Sequence, residues 1–140
     1  MKTPTHTLKS YITDVQDFPK KGIVFKDITS LLQSPEAVSL CLESLLSELK
    51  DKKIDKVVAI EARGFFFGML LAQTLNVPFF PVRKPGKLPR KVVSQSFDLE
   101  YGSDILELHE DAIKSGDKVL IHDDVLATGG TAEAVCKMVE

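Results

Sequence analysis

The sequence is poor in the features that mark several protein classes. It has two cysteines in 140 residues, Cys41 and Cys136, far apart and in no Cys-x-x-Cys unit. That argues against a disulfide framework or a paired-thiol motif, and both are read as reduced, buried thiols of a cytoplasmic protein. Its three histidines, His6, His109 and His122, show no metal-ligand spacing. Neither sign of charge dominates: the formal net charge is −2, which argues against a general nucleic-acid binder with a basic face. No apolar run reaches the length of a membrane span. Met1 to His6 is polar and lacks the apolar centre of a secretory signal. Repeats and low-complexity segments are missing. So are two phosphate-binding signatures, Gly-x-x-x-x-Gly-Lys and Gly-x-Gly-x-x-Gly.

What is present suits one soluble domain spanning residues 1–140, with 44% apolar and 27% charged residues. Leu8, Tyr11, Ile12 and Val15 at helical spacing predict a short N-terminal helix, ended by Asp17-Phe18-Pro19. Residues 21–28 read as extended or turn. Ser34 is placed as an N-cap with Pro35 at the first helical position, and Val38, Leu42, Leu45, Leu46 and Leu49 form that helix's buried stripe to about Lys50. Val57 to Ile60 is a buried strand, and a helix follows from about Phe65 to Asn76. Its Gly64 to Gly68 spacing predicts close helix–sheet packing. Phe79 to Val82 is the next strand. Val92 to Asp98 and Asp104 to Glu110 are the arms of a hairpin. Lys118 to His122 is a further buried strand, and a last helix starts near Gly130 or Thr131. Strand, helix, strand, excursion, strand, helix is the pattern of an α/β fold with a parallel sheet. The apolar stripe Ala132, Val135, Cys136 and Val139 runs to the last residue without a glycine cap, so a C-terminally incomplete chain is expected.

The most informative stretch is Lys118-Val-Leu-Ile-His-Asp-Asp-Val-Leu-Ala-Thr-Gly-Gly-Thr131. Two carboxylates, Asp123 and Asp124, stand at the C-terminal end of a strand, where ligands bind in open α/β sheets. A loop with two glycines then opens a helix, and such a loop presents main-chain N–H groups to an anion. Thr128 and Thr131 add hydroxyls. Acids suit sugar hydroxyls or a hydrated cation, and the N–H cradle suits a phosphate; a ribose 5-phosphate needs both. As a fold element alone, Asp124 would only cap the helix, but adjacent acids cost stability unless a ligand or cation offsets them.

Two more segments reach the same sheet edge if the strands are parallel. Glu61-Ala-Arg-Gly64 follows the strand ending at Ile60, and the Arg63 guanidinium matches phosphate oxygens. Arg83-Lys-Pro-Gly-Lys-Leu-Pro-Arg-Lys91 follows Val82. Five of its nine residues are cationic. It reads either as a solvated loop or as a lid that covers an anion and excludes water, with Arg83, Lys84 and Lys87 in contact with phosphate.

In order, Phe18-Pro19, Ile23 to Ile28, Glu61 to Phe65, Arg83 to Leu88, Asp98-Leu-Glu-Tyr-Gly102 and the acidic strand end with Ala127-Thr-Gly-Gly-Thr131 closely resemble the adenine phosphoribosyltransferases, in the type I phosphoribosyltransferase family. The resemblance covers nearly all of the chain. It implies a parallel sheet with helices on both faces and a flexible hairpin lid, here residues 83–110. The implied activity is transfer of a phosphoribosyl group from 5-phosphoribosyl 1-pyrophosphate to adenine, with Mg2+ as cofactor held mainly by substrate and by no direct protein ligand. It further implies a cytoplasmic homodimer that binds neither nucleic acid nor membrane.

By the same likeness Asp123 and Asp124 hold the ribose, while Ala127, Thr128, Gly129, Gly130 and Thr131 hold the 5-phosphate. Ala62, Arg63, Arg83, Lys84 and Lys87 meet the pyrophosphate, and a cis peptide joins Glu61 to Ala62. Glu100 is the catalytic residue, exchanging a proton with the purine. Val24, Phe25 and Lys26 line the base pocket; the family often has Arg where Lys26 stands, and Lys keeps the charge but not the planar stacking surface. Two alternatives stay open on the residues: a non-catalytic sensor of the same donor, and a 6-oxopurine or orotate as the acceptor base.

Overall fold

A computed structural model describes residues 8–99, 102–124 and 130–140. Glu100, Ala127, Thr128 and Gly129 therefore lie outside the described residues. The chain divides into two units, residues 1–52 and 53–140.

In the first unit, among the described residues, only Leu8 and Lys9 of the expected N-terminal helix are helical. Thr13–Gln16 instead forms strand β1, paired antiparallel with β2 (Val24–Asp27) in the register Thr13↔Asp27 to Gln16↔Val24. The helical spacing of four apolar residues was too short a signal. Thr13 and Val15 are β-branched, and a partner strand satisfies their backbone better than a two-turn helix would. The connecting loop turns through Asp17 at φ 55°, a cis Phe18–Pro19 bond and Gly22 at φ 89°. Asp17 Oδ1 accepts the Gly22 N–H at 2.7 Å, closing the loop. A short helix, α1 (Thr29–Leu32), precedes α2 (Pro35–Glu48). Ser34 caps α2 as expected, its hydroxyl accepting the Ala37 N–H at 3.2 Å, with Pro35 next. The predicted stripe of α2 is only half-buried: Ala37, not Val38, Leu42, Leu45, Leu46 or Leu49, is its one buried residue.

The second unit is built around β3 (Lys56–Ile60), whose Val57, Val58 and Ala59 are fully buried. After it come α3 (Gly64–Leu75), β4 (Phe79–Val82), β5 (Val92–Leu99), β6 (Gly102–His109), β7 (Val119–His122) and α4 (Gly130–Val139). Strands β4, β3 and β7 lie in that order in one sheet, all parallel. Strand β3 is central and dry. Strand β7, expected to be buried, is half-buried, because it has a strand neighbour on one side only among the described residues.

Side chains alternate across a strand, so β3 faces two ways. On one side Gly68 of α3 packs on Ala59 so closely that a Cβ on Gly68 would stand 2.6 Å from the Ala59 Cβ. This is the close approach that the glycine spacing predicts. On the other side Val58 and Ile60 join Val82, Leu106, Leu108, Ala112 and Val135 in the main core. Helices thus cover both faces. Asn76 ends α3 in the left-handed conformation, at φ 57°. The buried face of α4 is Ala134 and Val135 with Met138 and Val139 partly buried, a face shifted from the predicted stripe; Cys136 is exposed and Cys41 half-buried, so neither thiol is buried as expected. The shift follows from where the core lies: Leu106 and Leu108 of the hairpin, not the sheet alone, decide which residues of α4 are covered.

Candidate active site

Parallel strands deliver their C-terminal ends to one edge, so the residues after Val82, Ile60 and His122 are neighbours in that order. This brings Arg83, Glu61 and Asp123 side by side. The ladder extends one residue past β3, where the Glu61 N–H donates to Val82 O at 2.9 Å. Next comes a cis peptide between Glu61 and Ala62, the bond that the resemblance implies. Arg63 stands immediately before Gly64, the first residue of α3. A strand–turn–helix therefore aims Glu61 and Arg63, two residues apart, at different neighbours.

Glu61 faces β4. Its carboxylate, 10% exposed, lies 3.3 Å from Arg83 Nε, accepts the Lys84 N–H at 3.1 Å and pairs with the Lys87 ammonium. Burial pushes its pKa up, but the hydrogen bonds from Lys87 and Lys84 and the charges of Lys87 and Arg83 outweigh that and hold it below the ordinary carboxylate value. The basic stretch is thereby shaped at its start. Its Pro85-Gly86 turn has Gly86 at φ 84°, and the Gly86 N–H donates to Glu107 Oε1 at 3.0 Å. Arg83 and Glu107 also exchange main-chain hydrogen bonds of 2.9 and 2.8 Å, so β6 follows β4 antiparallel.

Arg63 faces β7. Its Nε lies 3.1 Å from Asp124 Oδ2, an ion pair in which the aspartate is 8% exposed and the arginine 40%. Asp123 Oδ1 accepts the Asp124 N–H at 2.8 Å. Burial, followed by the side-chain hydrogen bond and the charge of Asp124, pushes the Asp123 pKa up to about 6, against the opposing pull of the Asp124 N–H and of Arg63. His122 adds no charge to relieve the acids, because burial holds its pKa below the imidazole range. Gly64 permits this crowding: a Cβ there would stand 3.1 Å from Asp123 Oδ1.

Of the expected residues, Ala62, Arg63, Arg83, Lys84, Lys87, Asp123 and Asp124 come together at one edge of the second unit. Gly130 is the first described residue of α4, with Thr131 next. Val24, Phe25 and Lys26 lie on β2 of the first unit. Val24 and Lys26 project from one side of β2 and Phe25 from the other. Phe25 packs edge-on to Phe18 with ring centroids 5.1 Å apart, and Lys26 Nζ pairs with Asp14 at 2.6 Å. Sequence reasoning missed Glu61 as the acid that gathers the cations of the basic loop, and Glu107 as the acceptor for its Gly86 N–H. A lone acid at a strand end facing a five-cation loop was the available signal for Glu61; nothing local marks Glu107. Among the described residues no three His, Cys, Asp or Glu side chains group so as to hold a metal ion.

The sequence model of the phosphoribosyl transferase domain matches residues 27–140. The adenine phosphoribosyltransferase of Flavobacterium johnsoniae is 65% identical over 133 residues, 95% of this chain and 78% of the relative. That of Escherichia coli O157:H7 is 57% identical over 132 residues, 94% of this chain and 72% of the relative. Among solved structures, the adenine phosphoribosyltransferase of Thermoanaerobacter pseudethanolicus superposes with a TM-score of 0.93 at 51% identity, covering 96% of this chain and 78% of the other. The Saccharomyces cerevisiae enzyme, solved with an imino-altritol bisphosphate and adenine, gives 0.93 at 37% identity, covering 99% and 81%.

Proposed function

The chain belongs to the phosphoribosyl transferase family, and from that premise we infer that it is an enzyme of purine salvage. It transfers the 5-phosphoribosyl group of 5-phosphoribosyl 1-pyrophosphate to adenine, giving AMP and pyrophosphate. The supporting observation in the fold is the edge at which Arg63 meets Asp124 while Glu61 gathers Arg83 and Lys87. A substrate that is sugar in the middle and polyanion at one end suits that edge. The choice of adenine rests on the relatives and on Leu99-Glu-Tyr-Gly102.

Breaking the anomeric C–O bond builds positive charge on the ribose and negative charge on the departing pyrophosphate. Asp123 and Asp124 accept the ribose 2- and 3-hydroxyls. Their fixed charge also favours the cationic sugar in the transition state. Ala127, Thr128, Gly129, Gly130 and Thr131 hold the 5-phosphate at the start of α4. Ala62, Arg63, Arg83, Lys84 and Lys87 take up the leaving group. Val24, Phe25 and Lys26 hold the base, and Glu100 exchanges a proton at N7 as N9 attacks. Oxygen donors of the acidic pair suit Mg2+; the ion, bound chiefly by the donor substrate, would supply charge neutralisation on the pyrophosphate.

A homodimer is the assembly this reading expects. The exposed apolar Phe66, Met69 and Leu70 on one side of α3 support it as the contact with a second copy. The protein would work in the cytoplasm, which its two free thiols support.

The test is a panel of adenine, guanine, hypoxanthine and orotate with labelled donor and Mg2+. Nucleotide from adenine alone is expected. Nucleotide from guanine or hypoxanthine alone would overturn the base, and donor binding without nucleotide from any base would leave a sensor.

A further inference from the structure

We propose that Glu61 is a positioning residue for the pyrophosphate end of the donor. It acts through Arg83 and Lys87, which it holds in the orientation that meets the leaving group. This inference rests on the transferase reading above and adds a residue that does not itself touch substrate.

A carboxylate beside a polyanion site is at first sight misplaced, because it repels the ligand. Its partners explain it. Arg83 and Lys87 come from a loop rich in cations, prolines and glycine, and both side chains keep many rotamers when unrestrained. Glu61 stands on the end of the central buried strand and is 10% exposed, so it is a fixed point. It draws in the Arg83 guanidinium, the Lys87 ammonium and the Lys84 N–H together. An ammonium has three N–H donors and a guanidinium five. Each cation can therefore keep Glu61 and still donate to a phosphate oxygen. The ordering is completed before the donor arrives, which is how preorganisation raises affinity.

The same loop supplies its own control. Glu107 accepts the Gly86 N–H and the Ser94 hydroxyl, each at 3.0 Å, and has no cation in ion-pair range among the described residues. It shapes the loop's backbone without orienting its charge. Glutamine at either position keeps the size and an acceptor oxygen. Only at position 61 does the exchange remove the charge that gathers the cations.

The experiment titrates magnesium pyrophosphate into the full chain by calorimetry and measures AMP formation in parallel. Glu61→Gln should raise the Kd for pyrophosphate and the KM for the donor about tenfold each, with kcat at saturating donor changed far less. Glu107→Gln should leave both constants near the parent values. Glu61→Asp, with its charge one methylene short, should fall between parent and Glu61→Gln. It also provides the reading if Glu61→Gln unfolds. In a Lys87→Ala background, Glu61→Gln should add less than it does alone. Pyrophosphate binding by Glu61→Gln as tight as the parent's, or tighter, would overturn the proposal; so would an equal loss in Glu107→Gln. A parent chain that binds pyrophosphate but forms no AMP would instead remove the transferase reading and leave the Glu61 result standing by itself.

Discussion

Two corners of one sheet edge mix acids with cations in opposite proportions. Between β3 and β4, one carboxylate, Glu61, answers Arg83, Lys87 and a main-chain N–H, and its pKa is held down. Between β3 and β7, two carboxylates, Asp123 and Asp124, share one guanidinium, and the pKa of Asp123 is pushed up to about 6. The first corner has positive charge to spare, and the second has negative charge to spare. The turn 61–63 serves both because residues two apart point to opposite neighbours. A ligand with a polyanion at one end and hydroxyls or a bound cation at the other would relieve both imbalances at once.

The largest expected effect tests whether the acidic corner matters more to turnover. Asp124→Asn should lower kcat/KM for the donor about 10²–10³-fold, the size of losing one preorganised electrostatic contact. Lys87→Ala should cost less, about tenfold, since Arg83 and Lys84 remain beside it. Initial rates over a donor series measure both. A heavier loss in Lys87→Ala would reverse the ranking of the two corners.

A gentler change separates the corners without removing any charge. A Cβ on Gly64 would stand 3.1 Å from Asp123 Oδ1 and 3.3 Å from both the Asp123 Cα and the His122 carbonyl oxygen. Gly64→Ala must therefore move the acidic pair by a few tenths of an ångström while leaving the Glu61 corner in place. Since a shift of roughly 1 Å can cost about 10²-fold, this smaller one should lower kcat/KM about tenfold or less. Pyrophosphate affinity should fall less than kcat/KM, since of its five proposed contacts only Ala62 and Arg63 adjoin position 64. Pyrophosphate binding that falls in step with kcat/KM would show that the corners do not act separately.

The strands and the site were not equally legible in the sequence. Phe79–Val82 is a strand with the very bounds read from its residues, and β3 is within one residue of its own, because short apolar runs between turn residues carry a local signal. The acidic pair was legible because its two members are adjacent. Glu61 as a hub was not, since its partners lie 22, 23 and 26 residues away and only the parallel register joins them. The N-terminal segment misled for a related reason: four apolar residues fit a helix, but the β2 partner that makes β1 a strand lies beyond the loop. The covered face of α4 likewise depends on the hairpin, and helix periodicity alone does not reveal that.

The smallest effect reports on the imbalance in the acidic corner directly. Folding raises the pKa of Asp123 to about 6, above the ordinary aspartate value of about 3.9. Between those values the folded protein keeps a proton that the unfolded chain has released. The contribution of this group to stability is therefore full below the lower value and is lost as pH rises through the upper one. At pH 7 the ligand-free protein carries both charges against a single Arg63. Asp123→Asn should then raise Tm at pH 7 by roughly 2–4 °C, gain little at pH 5, and lose donor binding at both. Thermal unfolding of parent and variant at the two pH values measures this. Saturating donor should narrow the gap by stabilising the parent, whose charged pair it neutralises. A variant less stable than the parent at pH 7 would mean that the second corner already has the positive charge it needs, and the contrast between the corners would collapse to one of position alone.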